Sequence, residues 1–367
     1  MHGGNLRRAK ELYGLESFID LSANINPFGP PAGVWDSLRK SMSDIVHYPD
    51  PESLVLRKTL AGTLNQPLES IMVGNGAGEL IFTVLQALKP QKVVIPIPTF
   101  SEYERAARVA GSEVLCVPFG PEGWARFKGS DQEALARWDK ILTGCDLLFL
   151  CSPHNPTGSL LERDFFVELL RLTKEKGCKI LFDESFYDFL PDESRKSARE
   201  YLGENQHLLV LYSLTKFYSI PGLRLGAVFA HPALIAGFER FRDPWSVNVM
   251  AQQAGITALE DREFPAEVRR KLQASRDYFY REFELRGLRN LKLWPSVVNF
   301  ALIEVLSHSP QELIEHLGRL GILVRDCSSF EDLPPNFIRV AIKDIPVMKR
   351  LIAGLQDWQE KVSLPDN

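Results

Sequence analysis

The chain has 367 residues, enough for about two domains, and its 45% hydrophobic and 25% charged residues are an ordinary globular balance that supports a sizeable core. Lysine and arginine number 43 against 47 acidic residues, so the net charge of −4 gives no electrostatic draw toward nucleic acid or an anionic membrane. No apolar run approaches the ~18 residues of a membrane span, and the first residues carry no apolar signal core. The five cysteines (Cys116, Cys145, Cys151, Cys178, Cys327) form no C-x-x-C pair. The expectation is a cytoplasmic protein with free, mostly buried thiols, no metal site, and neither a nucleic-acid nor a membrane partner.

Residues 1–30 read as an N-terminal arm. Asn24-Ile25-Asn26-Pro27-Phe28-Gly29-Pro30-Pro31 and, further on, His47-Tyr48-Pro49-Asp50-Pro51 are ordered-loop chemistry with a helix of roughly 32–43 between them. Such an arm cannot form a core alone and should lie across another domain or subunit. From Ser70 short apolar runs alternate with amphipathic stretches. Strands are expected at 71–73, 93–95, 113–117, 147–151, 179–182, 208–211 and 227–230, with helices at 79–88, 101–110, 163–176 and 233–240. This alternation predicts an α/β domain, residues 31–243, with a mostly parallel seven-stranded sheet. A smaller α+β domain, 244–367, should follow, with helices at 249–260, 265–286, 310–320 and 345–360 around strands at 298–303, 323–324 and 338–342.

Ligands of open α/β sheets sit at the carboxyl ends of strands, and the chemistry-bearing residues cluster there. Tyr212-Ser213-Leu214-Thr215-Lys216 closes a buried strand, and Arg224 follows eight residues after the lysine. An ammonium in apolar company loses hydration, its pKa falls, and the free amine can form a Schiff base with an aldehyde. Ser213 and Arg224 suit a phosphate, and the three together suggest pyridoxal phosphate; a surface lysine after a strand is the bland alternative.

Gly74-Asn75-Gly76-Ala77-Gly78-Glu79 joins a strand to a helix, whose start can hold a phosphate or simply make a tight turn. Its spacing lacks the third glycine of a dinucleotide fingerprint. Asn155 in Ser152-Pro153-His154-Asn155-Pro156-Thr157-Gly158 can donate to a phenolic oxygen or serve an Asx turn. Asp183 can pair with a pyridinium N–H or cap a helix; Glu184 beside it is read as structural. Phe100 offers a ring to stack on a planar cofactor, or a core aromatic. Arg325 and Arg339 each end a strand-like segment and suit an anionic group, or a salt bridge.

In this order, glycine turn, aromatic, N-P-T-G, D-E, S-L-T-K and two downstream arginine positions, the chain resembles the fold-type I pyridoxal-phosphate enzymes of the class I/II aminotransferase superfamily from about residue 20 to 345. The resemblance implies that Lys216 holds the cofactor as a Schiff base and Asp183 pairs with its ring nitrogen. It also implies that Asn155 bonds the ring oxygen, Phe100 stacks, and Gly76, Ala77, Ser213 and Arg224 hold the phosphate. Tyr48 is implied to reach the phosphate in the other subunit of a homodimer, and Arg339 to meet a substrate carboxylate.

Two subfamilies compete. Histidinol-phosphate aminotransferases typically have tyrosine where this chain has Phe186. L-threonine-O-3-phosphate decarboxylases of cobalamin synthesis resemble it more closely, through His2-Gly3-Gly4-Asn5, Ser22-Ala23-Asn24-Ile25-Asn26-Pro27 and Pro244-Trp245-Ser246-Val247-Asn248. His2, Asn24, Arg325 and Arg339 are assigned to a small phosphorylated amino-acid substrate on that basis. His154 departs from the usual asparagine. A cofactor-binding regulatory module without turnover is the reading from another class.

Overall fold

The structure is a computed structural model that describes residues 4–127, 131–203 and 205–362. Seven strands form one sheet in the spatial order Ile71–Gly74, Gly226–Ala230, Leu208–Ser213, Lys179–Asp183, Leu147–Cys151, Lys92–Ile97 and Glu113–Pro118. Each of the seven expected strands is present. All neighbours run parallel except Gly226–Ala230, which is antiparallel to both strands beside it.

The central strands are buried on both faces, which is why they read as near-continuous apolar runs. Their side chains alternate between two layers. Leu147, Phe149, Leu209 and Leu211 pack with Leu80, Val84 and Tyr103, from helices Ala77–Leu88 and Glu102–Val109. Leu148, Leu150, Leu208 and Val210 pack on the opposite face with Trp138, Phe165 and Leu169, from Gln132–Ile141 and Arg163–Glu175. Truncating one such leucine to alanine costs about 2–5 kcal/mol through lost transfer energy and the cavity left behind.

A four-stranded antiparallel sheet, Arg325–Asp326, Phe337–Ala341, Phe300–Val305 and Leu291–Leu293, forms the second unit with helices Pro310–Arg319 and Ile345–Val362. The arm belongs with it: Ile19 and Asp20 pair in parallel with Ile322 and Leu323, and Leu21 is buried in the same apolar cluster. The helix Leu6–Tyr13 docks where Gly318 has no side chain, since a Cβ there would lie 2.1 Å from the Tyr13 ring. The arm then crosses to the large sheet. Asn26 donates its N–H to the Lys216 carbonyl (3.0 Å) and its side-chain amide to the Phe217 carbonyl (2.8 Å).

Apolar packing does not change hands at residue 244. Val247, Ala251, Ala254, Ala258, Phe264 and Leu272 all join the large sheet's core, whereas Phe279 and Phe283 join the second cluster. We therefore propose that the domains divide inside the helix Phe264–Leu285 rather than at 243/244. Among the described residues no helix is long and apolar enough to cross a membrane.

Candidate active site

Three strand ends meet in one line. Gly74 faces Gly226, which in turn faces Ser213. A Cβ on Gly226 would lie 2.7 Å from the Ala77 nitrogen, so glycine lets the helix Ala77–Leu88 start directly over the sheet edge. Gly76 caps that helix at φ +84, and a Cβ there would sit 2.6 Å from Nη2 of Arg224. The left-handed φ and the guanidinium together demand glycine. Free N–H groups of the helix's first turn thus flank Arg224 and Ser213, a donor set suited to a phosphate.

Lys216 lies in the one-turn helix Leu214–Phe217, immediately after the strand Leu208–Ser213. Its Nζ sits 4.9 Å from the centre of the Phe186 ring. Burial pushes its pKa below the ordinary lysine value, Arg224 and Arg339 push the same way, and Asp183 and Cys151 oppose them. The amine is therefore pre-set toward its nucleophilic form.

Asp183 ends the neighbouring strand and is buried. Its Oδ1 accepts the Ser185 N–H (2.7 Å) and its Oδ2 accepts the Tyr103 hydroxyl (2.5 Å). Tyr103 is fixed by stacking on Phe149 (4.8 Å) and by an edge contact with Phe100 (5.6 Å). Nothing in the sequence pattern singled out Tyr103. Its only signal was its place three residues after Phe100 at a helix start.

A cavity of about 300 Å³ gathers Lys216, Asn155, Phe100, Asn24, Arg325 and Arg339. Arg339 is buried; it donates through Nη1 to Asn155 Oδ1 and through Nη2 to the Ser22 carbonyl (3.3 Å). Burial pushes its pKa down to about 10. With its oxygen taken by Arg339, Asn155 keeps its amide N–H groups for a ligand oxygen. Arg325 donates to Ser329 Oγ (2.9 Å), stands over the Phe330 ring, and is likewise lowered by burial. Asn24 is buried, and its side-chain oxygen has no partner among the described residues. Ser22, Ser329, Phe330, Glu104 and Glu331 also line the cavity, and the sequence assigns none of them to the site.

Three residues singled out in the sequence are not among those lining the cavity. Tyr48 is 80% exposed, packs at a tilt of 31° against Trp245 (4.7 Å between ring centres), and does not line this chain's cavity. His2 lies outside the described residues. His154 is buried behind the N-P-T-G loop, hydrogen-bonds Thr157 Oγ1 (2.9 Å), and is held neutral by burial, with a pKa of about 3.

The donor set fits pyridoxal phosphate: a glycine cradle opened by Arg224, a buried carboxylate with lone pairs to spare, a ring beside the cavity and a depressed lysine. Residues 16–355 match the family described as aminotransferase class I and II, and the chain belongs to this family of pyridoxal-phosphate-dependent enzymes. Threonine-phosphate decarboxylase of Salmonella typhimurium is 36% identical over 97% of this chain and 96% of that protein. The solved L-threonine-O-3-phosphate decarboxylase from Porphyromonas gingivalis is 26% identical, with a TM-score of 0.79 over 93% of this chain and 99% of that one. The histidinol-phosphate aminotransferase from Clostridium acetobutylicum is also 26% identical, with a TM-score of 0.83 over the same shares.

Proposed function

We propose that the chain is a pyridoxal-phosphate-dependent carboxy-lyase that converts L-threonine O-3-phosphate to (R)-1-amino-2-propanol O-2-phosphate, a step of cobalamin assembly. The observation that carries this reading is the pair of guanidiniums in one small cavity, Arg325 and Arg339, with Lys216 on the same wall. Threonine phosphate brings two anionic groups, a carboxylate and a phosphate. A buried and a half-buried arginine match two anions. Arg325 resembles the phosphate-binding arginine of both subfamilies, so the choice between them leans on the 36% identity to threonine-phosphate decarboxylase.

When bound, pyridoxal phosphate supplies an electron sink for the pair left on the α-carbon as carbon dioxide departs. The residues do the rest. Gly76, Ala77, Ser213 and Arg224 would hold the cofactor phosphate, Lys216 Nζ its aldehyde, Asn155 its ring oxygen, Asp183 its ring nitrogen, and Phe100 its face. Arg339 and Asn24 grip the carboxylate end of the substrate and Arg325 its phosphate. This grip would set the orientation of the substrate's α-carbon in the cavity, and a shift of roughly an ångström would be enough to decide between decarboxylation and amino transfer. Lys216 Nζ is the titratable group positioned to return a proton to the α-carbon.

His2 is assigned to the substrate on the resemblance carried by His2-Gly3-Gly4-Asn5; the neighbouring Gly4 donates its N–H to Ser22 Oγ (2.8 Å) in the cavity wall. A homodimer in which Tyr48 reaches the partner's cofactor is supported by the exposure of Tyr48 and Trp245 beside exposed Met42, Ile45 and Val46. A cytoplasmic location agrees with the lack of a membrane-crossing helix among the described residues. The second reading, histidinol-phosphate aminotransferase, is favoured by the TM-score of 0.83 noted above. A substrate panel separates the two: carbon dioxide released from threonine phosphate supports the decarboxylase, and preferred amino transfer from histidinol phosphate overturns it.

A further inference from the structure

The buried hydroxyl of Tyr103, whose hydrogen bonding the Cys151 thiol shares, donates to Oδ2 of Asp183 at 2.5 Å. The ring cannot drift from it. Phe149 stacks on one face at 4.8 Å with 19° between planes, Phe100 closes an edge at 86°, and the residue is 1% exposed. Burial and the Asp183 charge hold the Tyr103 pKa well above its ordinary value, so the hydroxyl is a donor at every working pH. The other carboxylate oxygen accepts the Ser185 N–H at 2.7 Å. A carboxylate has about four lone-pair sites, so these two bonds set its orientation and leave room for a third donor.

We propose that Tyr103 is a positioning residue that keeps a proton on the cofactor's pyridine nitrogen. The idea rests on the reading that Asp183 faces that nitrogen. A buried carboxylate stripped of donors gains by taking up a proton, because its charge is no longer solvated. It would draw the shared proton off the nitrogen, leaving a neutral ring and a weaker electron sink. The Tyr103 hydroxyl replaces lost water at Oδ2 and stabilises the charged carboxylate, so the proton stays on nitrogen.

The test uses the holoenzyme reconstituted with pyridoxal phosphate carrying ¹⁵N at the ring nitrogen, read by its ¹⁵N chemical shift. Wild type should lie on the pyridinium side. Tyr103→Phe should move the shift toward neutral pyridine and lower kcat roughly tenfold with KM little changed, the size expected for one hydrogen bond to a charged group. Phe149→Leu, which loosens packing but keeps the hydroxyl, should leave the shift in place. If Tyr103→Phe fails to fold, 3-fluorotyrosine at position 103, a stronger donor of nearly the same shape, should move the shift further toward the pyridinium side. An unmoved shift in the folded Tyr103→Phe enzyme, or failing that with 3-fluorotyrosine, overturns the proposal. Asp183→Asn separates the two ideas. If it moves the shift while Tyr103→Phe does not, only the role of Tyr103 fails; if neither does, the placement of Asp183 fails first.

Discussion

Arg325 and Arg339 stand directly opposite each other, as Cα partners in the antiparallel pair of strands Arg325–Asp326 and Phe337–Ala341. Like charges at facing positions destabilise a sheet. Both are also partly stripped of water, Arg339 the more completely, and no carboxylate is hydrogen-bonded to either among the described residues. Such a pair is costly until anions arrive.

Replacing either arginine should therefore weaken substrate binding while relieving the empty protein. Arg325→Met and Arg339→Met should each raise KM about ten- to a hundredfold, from roughly 1.5–3 kcal/mol of charge-assisted hydrogen bonding. Arg325→Met should raise the melting temperature of the substrate-free enzyme by a small amount. Steady-state kinetics and thermal melts on the same preparations check both signs.

Lys216 gives a pH signature in the cofactor-free protein. Its folded pKa lies below the ordinary 10.5 of the unfolded chain. Between the two values the unfolded chain holds a proton that the folded chain does not, so stability from this group rises with pH. Lys216→Met should melt higher than wild type at neutral pH, and the gap should narrow as pH climbs through that window. The same substitution should abolish the yellow Schiff-base absorbance formed with added pyridoxal phosphate, and turnover with it.

His154 acts at the acid end. Its folded pKa is depressed to about 3 from 6.5, so it contributes nothing to pH dependence above 6.5. Below that the unfolded chain gains a proton and the folded chain does not, so stability falls with pH at roughly 1.4 kcal/mol per unit. Wild type should lose about 2 kcal/mol from this source by pH 5 relative to His154→Asn, measured by denaturant melts at both pH values.

Tyr48 tests the dimer. Tyr48→Phe and Lys216→Ala homodimers should each be impaired, the second inactive. A hybrid of the two carries one intact site if Tyr48 serves its partner, and mixing the variants should restore activity above either parent. Were Tyr48 to serve its own chain's site, mixing would restore nothing.

Much of this architecture was legible because parallel strands buried on both faces spell themselves out as apolar runs. The strand Leu147–Cys151 matches its expected bounds, and Leu208–Ser213 extends two residues past its expected end, up to the one-turn helix that holds Lys216. The helix Leu54–Leu64 was missed because Val55 faces solvent while Leu56 and Leu60 face the core, which blurs its stripe. The two-residue strand at Arg325 was too short to show a period, yet its ladder with Arg339 is what pairs the two cations. Site residues with unusual chemistry for their setting, Lys216, Asp183 and Arg339, stood out against strand ends. Tyr103 did not, since its importance comes from an 80-residue contact to Asp183 that no local pattern encodes.

A decarboxylase site removes carbon dioxide and moves no amino group. The most direct measurement incubates the holoenzyme with L-threonine O-3-phosphate and 2-oxoglutarate and follows the phosphorylated product by ³¹P NMR and glutamate by enzymatic assay. The predicted result is stoichiometric 1-amino-2-propanol O-2-phosphate and carbon dioxide with no glutamate. Glutamate formed in step with loss of the substrate's amino group would contradict it.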